Sequence, residues 1–131
     1  MDEKIKELLN YKNIAVVGLS PKEDRPSYVV AKYLQSHGYK IIPVNPRGDE
    51  ILGEKCYPNL SAIPHPIDVV DIFRRPEDIP PIVEEAIKIK AKVIWMQEGI
   101  INEAAAEKAR QAGLDVIMNK CMLKEHRRVM G

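Results

Sequence analysis

The sequence has only two cysteines, Cys56 and Cys121, set far apart and outside any C-x-x-C or Cys/His spacing. That pattern excludes a disulfide framework and a zinc site, and both read as free thiols. Long apolar runs are missing too. The start, MDEKIKELLNYKN, carries charges instead of a signal-peptide core, and no later stretch approaches the roughly 18 apolar residues of a membrane span. A soluble, cytoplasmic protein is expected. An excess of one charge sign is also lacking: 20 Lys and Arg stand against 19 Asp and Glu. This balance offers no general attraction to nucleic acid or to an anionic membrane, so any anion site must be local. No repeat or low-complexity tract interrupts the chain. No metal cluster and no nucleophile with an adjacent base can be read, so no catalytic residue is assigned and no turnover is expected.

What is present is an alternation of short apolar runs with helical periodicity. NIAVVG (13–18), KIIPVN (40–45), VVDIF (69–73), KVIWMQ (92–97) and LDVIM (114–118) read as buried strands. Between them lie helical patterns: 27–38, stopped by Gly38; a segment starting near Pro80 or Pro81; and 102–113, with Asn102 as N-cap and Gly113 as stop. A further helix is expected over 2–11. Strands separated by helices require right-handed crossovers and a sheet covered on both faces. The predicted class is α/β, a Rossmann-like three-layer domain with a five-stranded, mostly parallel sheet, occupying 1–131 as one domain. Ten prolines fall mostly at strand ends and helix starts. The 30% charged content, rich in Lys and Glu, resembles heat-adapted composition.

Ligands of open parallel sheets sit beyond the carboxyl ends of the strands. Those ends carry GLSPKEDRPS (18–27), NPRG (45–48), FRRP (73–76), QEGI (97–100) and NKC (119–121), a locally cationic set that suits a phosphate-bearing ligand. The first turn has Gly18 alone where the dinucleotide fingerprint places three glycines. Gly18 permits close backbone approach, and Ser20 offers a hydroxyl and an amide beside a helix N-terminus, where a pyrophosphate could rest. The second strand ends in Asn45-Pro46-Arg47, not in the acid that holds the ribose of NAD. A base there suits a phosphorylated ribose, which leaves NADP or coenzyme A.

AVVGLS…RPSYVVAKYL…IIPVNP, VDIFRRPEDIPPIVEEAI, IWMQEGI and EAAAEKARQAGLDVIMNKC together resemble the small single-domain CoA-binding protein family. That family is similar to the CoA-binding domain of the succinyl-CoA synthetase alpha subunit. The resemblance runs from about Tyr11 to Arg128 and implies coenzyme A, or an acyl-CoA, held across the strand ends. It implies a phosphate turn at Gly18, Leu19 and Ser20, with Arg25 and Ser27 beside it. Asn45, Pro46 and Arg47 would flank the adenosine, Phe73, Arg74 and Arg75 the middle, and Gln97, Glu98, Gly99 and Ile100 the far side. The domain that carries the synthetase's phosphohistidine loop has no counterpart here, so the ligase reaction does not carry over.

The expected role is a non-catalytic binding or regulatory module. Alternatives are an NADP-dependent oxidoreductase, which would need a dimer to complete a substrate pocket, and an accessory subunit of an acyl-CoA ligase. His37 and His65 read as surface residues, and His126, in KEHRR, as part of a solvated basic tail. Trp95, Met118 and Met122 read as core. Glu98, a poor neighbour for pyrophosphate, is expected to point away or hold a loop. Arg74 and Arg75 could pair with Glu77 and Asp78. Cys121 lies at the ligand-bearing end among Lys120, Lys124, Arg127 and Arg128, whose charges favour thiolate. It could meet the thiol of CoA, or pack as a small apolar side chain.

Overall fold

The computed structural model describes residues 2–131. Five strands form the main sheet: β1 (Asn13–Val17), β2 (Lys40–Val44), β5 (Val69–Ile72), β6 (Val93–Met96) and β7 (Asp115–Ile117). Their order is β2-β1-β5-β6-β7, and every neighbouring pair is parallel. Such a sheet must bury both faces, which explains why these segments read as continuous apolar runs instead of alternating ones. Helices α1 (Asp2–Leu8), α2 (Pro26–Ser36) and α5 (Met122–Val129) cover one face, packing Ile5, Leu8, Leu34, Met122 and Leu123 against Ile14, Val16, Val69 and Trp95. The other face meets α3 (Ile79–Lys88) and α4 (Glu103–Gln111), where Val83, Ala86, Ala106 and Ala109 lie over Ala15, Val70, Ile72 and Ile94. The three-layer Rossmann-like expectation holds, with the sheet wholly parallel.

The punctuation works for the reasons its chemistry suggests. Gly38 and Gly113 end their helices at φ +89° and +93°, a region costly for side chains bearing a Cβ. Asn102 caps α4 by accepting from the Ala105 amide at 3.0 Å. Strand β1 sits between β2 and β5, so the chain leaves β1 toward one edge and returns on its other side. At that reversal the loops after β1 and β5 diverge and open a crevice.

Two features depart from the sequence expectations. A small hairpin, β3 (Glu50–Ile51) and β4 (Glu54–Lys55), turns through Leu52 and Gly53 at φ 55° and 76°, positive at both central residues as a tight hairpin needs. The KEHRR segment is not a solvated tail: it belongs to α5, and His126 is 7% exposed. Its Nδ1 lies 2.8 Å from the Tyr33 hydroxyl, and the rings of Tyr39 and His37 stand edge-on to it. The apolar stripe of α5 is interrupted by charge, so local composition alone conceals the buried face. His37 itself is exposed, whereas His65 is half-buried, edge-on to Tyr57. Trp95 and Met122 are fully buried, as expected, and Met118 packs partly buried against the second core. Among the described residues no helix is long and apolar enough to cross a membrane, and no cluster of metal-ligating side chains forms.

Candidate functional site

The turn after β1 is built around Gly18. Its φ is +87°, its amide donates to the Val44 carbonyl at 2.9 Å, and a Cβ placed on it would lie 2.6 Å from the Phe73 carbonyl oxygen. The close approach that the lone glycine signalled is therefore made by the protein's own backbone, from the strand beyond. Leu19 is fully buried and lines no cavity. The Ser20 amide donates to the Ser27 hydroxyl at 3.0 Å, and the Ser20 hydroxyl accepts from the Lys22 amide at 3.1 Å. Both groups expected to face a ligand thus shape the turn first. Asn45 braces it from β2, donating to the Leu19 carbonyl at 2.8 Å while accepting from the Arg47 amide at 2.9 Å. Helix α2 starts directly behind, with Arg25 as an N-cap that makes no side-chain cap, so its first-turn amides are left for other partners.

Two cavities open on either side of this turn. One, about 860 Å³, runs past the start of α2, the Phe73-Arg74-Arg75 segment, Gln97, Ile100 and Cys121. The second, about 720 Å³, lies over Asn45-Pro46-Arg47 and the start of α3. Gly18, Ser20, Arg74 and Asp78 belong to both and form the saddle between them. Each falls in the range typical of ligand pockets, about 300–1,000 Å³. Of the residues expected from the sequence to line the ligand site, Leu19 and Gly99 line neither cavity and the others line one or both. Pro26, Val30 and Asp78 also line the first. Asp78 was legible only as a possible ion-pair partner for the arginines.

That pairing is real. Asp78 Oδ2 lies 3.5 Å from Arg74 and 3.3 Å from Arg75, and Glu77 stands 3.9 Å from Arg75. The saddle is therefore close to charge balance. Arg25 in the first cavity and Arg47 in the second have no carboxylate partner among the described residues.

The far wall is polar at its base. Gln97, almost fully buried, donates from Nε2 to Asp71 Oδ1 at 2.5 Å and accepts at Oε1 from the Met122 amide at 3.4 Å. Asp71 was not singled out in the sequence, where it sits inside an apolar run. Burial pushes its carboxyl up to about 7, against the opposing pull of the Gln97 hydrogen bond. Glu98 turns to Lys124, 2.9 Å away, and so holds α5 to the β6 loop. The Gly99 amide donates to Asn119 Oδ1 at 2.7 Å, which makes Gly99 a loop brace. Cys121, half-buried, lines the first cavity as the N-cap of α5. Two of the basic neighbours expected to act on it are committed elsewhere: Lys124 to Glu98, and Arg128 to Asp2 and Glu125. Cys56 is buried beneath Gly48, lines neither cavity, and has its thiol pushed up by burial.

The family described as CoA binding domain matches residues 12–127. The chain belongs to the CoA-binding domain family. The uncharacterized protein YneT of Bacillus subtilis (strain 168) is 47% identical over 124 residues, covering 94% of this chain and 92% of that protein. A hypothetical protein from Pyrococcus horikoshii OT3 has the same fold, with a TM-score of 0.97 and 49% identity over 100% of this chain and 93% of that one. The ADP-forming acetate-CoA ligase of Methanocaldococcus jannaschii is 34% identical over 95 residues, 71% of this chain but only 14% of the ligase. This CoA-binding-domain chain thus matches one region of a much longer enzyme.

Proposed function

We propose that this protein binds coenzyme A, or an acyl-CoA, across the carboxyl ends of its strands as a non-catalytic binding or regulatory module. One observation carries the reading: two cavities meet at the Gly18–Ser20 turn, each holding one arginine without a carboxylate partner among the described residues. Coenzyme A has the matching layout, with a pyrophosphate in its middle, a 3′-phosphate at the adenosine end and an amide-bearing arm at the other. Arg47, with Asn45 and Pro46, would take the adenosine end. The uncapped start of α2, Arg25, Ser27 and Arg74 would meet the pyrophosphate, where helix amides favour an anion. The arm would run past Phe73, Arg75, Gln97 and Ile100 toward Cys121, while Leu19 and Gly99 support the walls from behind.

Calorimetric titration of CoA, dephospho-CoA, NADP and NAD tests this. CoA should bind tightest. Arg47→Ala should weaken CoA by about tenfold or more, since a charge-assisted contact contributes about 1.5–3 kcal/mol, and should affect dephospho-CoA less. Tighter NADP than CoA would overturn the reading in favour of an oxidoreductase module. A second reading, an accessory subunit of an acyl-CoA ligase, is favoured by the match to one region of the acetate-CoA ligase. Copurification with a ligase chain from the source cells would support it, and a lone, CoA-loaded protein would count against it.

A further inference from the structure

Asp71 lies on β5, the middle strand, with Val16 of β1 and Trp95 of β6 as its register partners. It is fully buried, and none of the ion pairs among the described residues includes it. Gln97 Nε2 is its one hydrogen-bond donor, at Oδ1, and its Oδ2 has no partner among the described residues. A carboxyl in such a place opposes folding, and an apolar side chain of similar size would cost less. Core packing therefore gives no reason for it.

The geometry around Gln97 supplies one. A carboxamide can be turned end for end, and what selects one orientation is the pair of groups it meets. Here an acceptor on the sheet side and an amide donor on the helix side leave one satisfactory arrangement: Nε2 to Asp71, Oε1 to Met122. The result is a continuous chain from the centre of the sheet to the start of α5. Its last two members border Cys121, and both Gln97 and Cys121 line the first cavity.

We infer that Asp71 is a positioning residue for that cavity: it orients Gln97 and, through Gln97, pins the start of α5, so that Gln97 and Cys121 present a fixed wall to the ligand. The inference rests on the CoA reading for the ligand's identity but not for the wall. Removing the acceptor at 71 frees the carboxamide to turn, releases the Met122 amide and loosens the wall, even as the core becomes more apolar. Stability and ligand affinity then move in opposite directions, which a purely structural role would not produce.

The test compares Asp71→Asn with Asp71→Val in three measurements: the urea midpoint, the rate at which a small disulfide reagent labels Cys121, and CoA affinity by calorimetry. Buried Cys56 serves as the internal control. Asp71→Val should keep or raise the midpoint, label Cys121 several-fold faster and bind CoA about tenfold more weakly, the weight of one lost hydrogen bond with its unpaired partner. Asp71→Asn, which retains an oxygen acceptor, should restore both labelling rate and affinity to within about twofold of wild type, since the bond to Gln97 persists. Gln97→Leu cuts the same chain and should speed Cys121 labelling even if a residue-71 variant fails to fold. Wild-type labelling and affinity in Asp71→Val, or a midpoint that falls in step with affinity, would overturn the inference. Wild-type protein that takes no CoA would sink the ligand reading alone, because the Cys121 rate still decides the role of Asp71.

Discussion

Gly18 serves the fold before any ligand. Its positive φ and the 2.6 Å approach of the Phe73 carbonyl to a would-be Cβ are both independent of what binds. A side chain must therefore strain the backbone and push β5 away from β1, a cost of about 1–3 kcal/mol for the conformation alone. Gly18→Val should lower the urea midpoint and weaken CoA together, and a variant of unchanged stability would contradict the geometry. Cys121 is a second residue whose surroundings set its behaviour. It borders the cavity that would hold the thiol end of CoA. Incubation with CoA disulfide should let the Cys121 thiolate attack one sulfur, forming a mixed disulfide and releasing the other CoA as thiol. Intact mass should show one adduct, absent in Cys121→Ser; no adduct in protein that binds CoA would place Cys121 out of reach of the arm. Asp71 adds a pH dependence. Its folded carboxyl, raised to about 7 from 3.8, binds its proton more tightly than the unfolded chain does. Its contribution is complete below the unfolded value and is lost as pH rises through about 7, so the advantage of Asp71→Val in midpoint should grow from about pH 5 to about pH 8.

At the scale of elements, α5 depends most on its surroundings. Eight residues, MLKEHRRV, cannot hold a helix in water unaided. Docking supplies the stability: Met122 and Leu123 enter the core, Arg128 bridges to Asp2 of α1, and His126 inserts between Tyr33, His37 and Tyr39. Burial, followed by the nearby charges of His37 and Lys12, pulls the His126 imidazole below its usual value, and Arg127 lies over the Tyr33 ring in the same cluster. The folded state therefore binds this proton less readily than the unfolded chain. The stabilisation is intact above the ordinary histidine value of 6.5 and is lost as pH falls through the lowered one, opposite in sense to Asp71. His126→Gln should cost about 1 kcal/mol near pH 8, where the Tyr33 bond and ring packing count in full. That gap should narrow near pH 5.5 in urea titrations; a gap constant with pH would mean that His126 accepts its proton freely while docked.

For the whole molecule, near-neutral net charge is compatible with the proposed local anion site because charges are sorted by position. Arg74 and Arg75 at the saddle are paired with Asp78 and Glu77, while Arg25 and Arg47, on opposite sides of one turn, have no carboxylate partner among the described residues. The strands and the helices between them were legible because a strand buried on both faces must be apolar throughout and a helix end must be punctuated. Gly38, Gly113 and Asn102 carried that information locally. The strand-end residues were legible for the same reason: wherever such strands lie, their carboxyl ends share one edge of the sheet. The positions of Asp71 and His126 were not, since each looks ordinary beside its sequence neighbours and acquires meaning only from Gln97 or from Tyr33; the pairing of Asp78 with its neighbouring arginines was legible, but not its place between the two cavities. The sequence by itself determined the periodicity, hence the layers and the edge where ligands can bind. Only the tertiary structure decided that β1 lies between β2 and β5, which loops flank the crevice, and which charged groups are buried or paired. Pairing between distant segments leaves no periodic trace along the chain, and burial is a property of what those segments enclose.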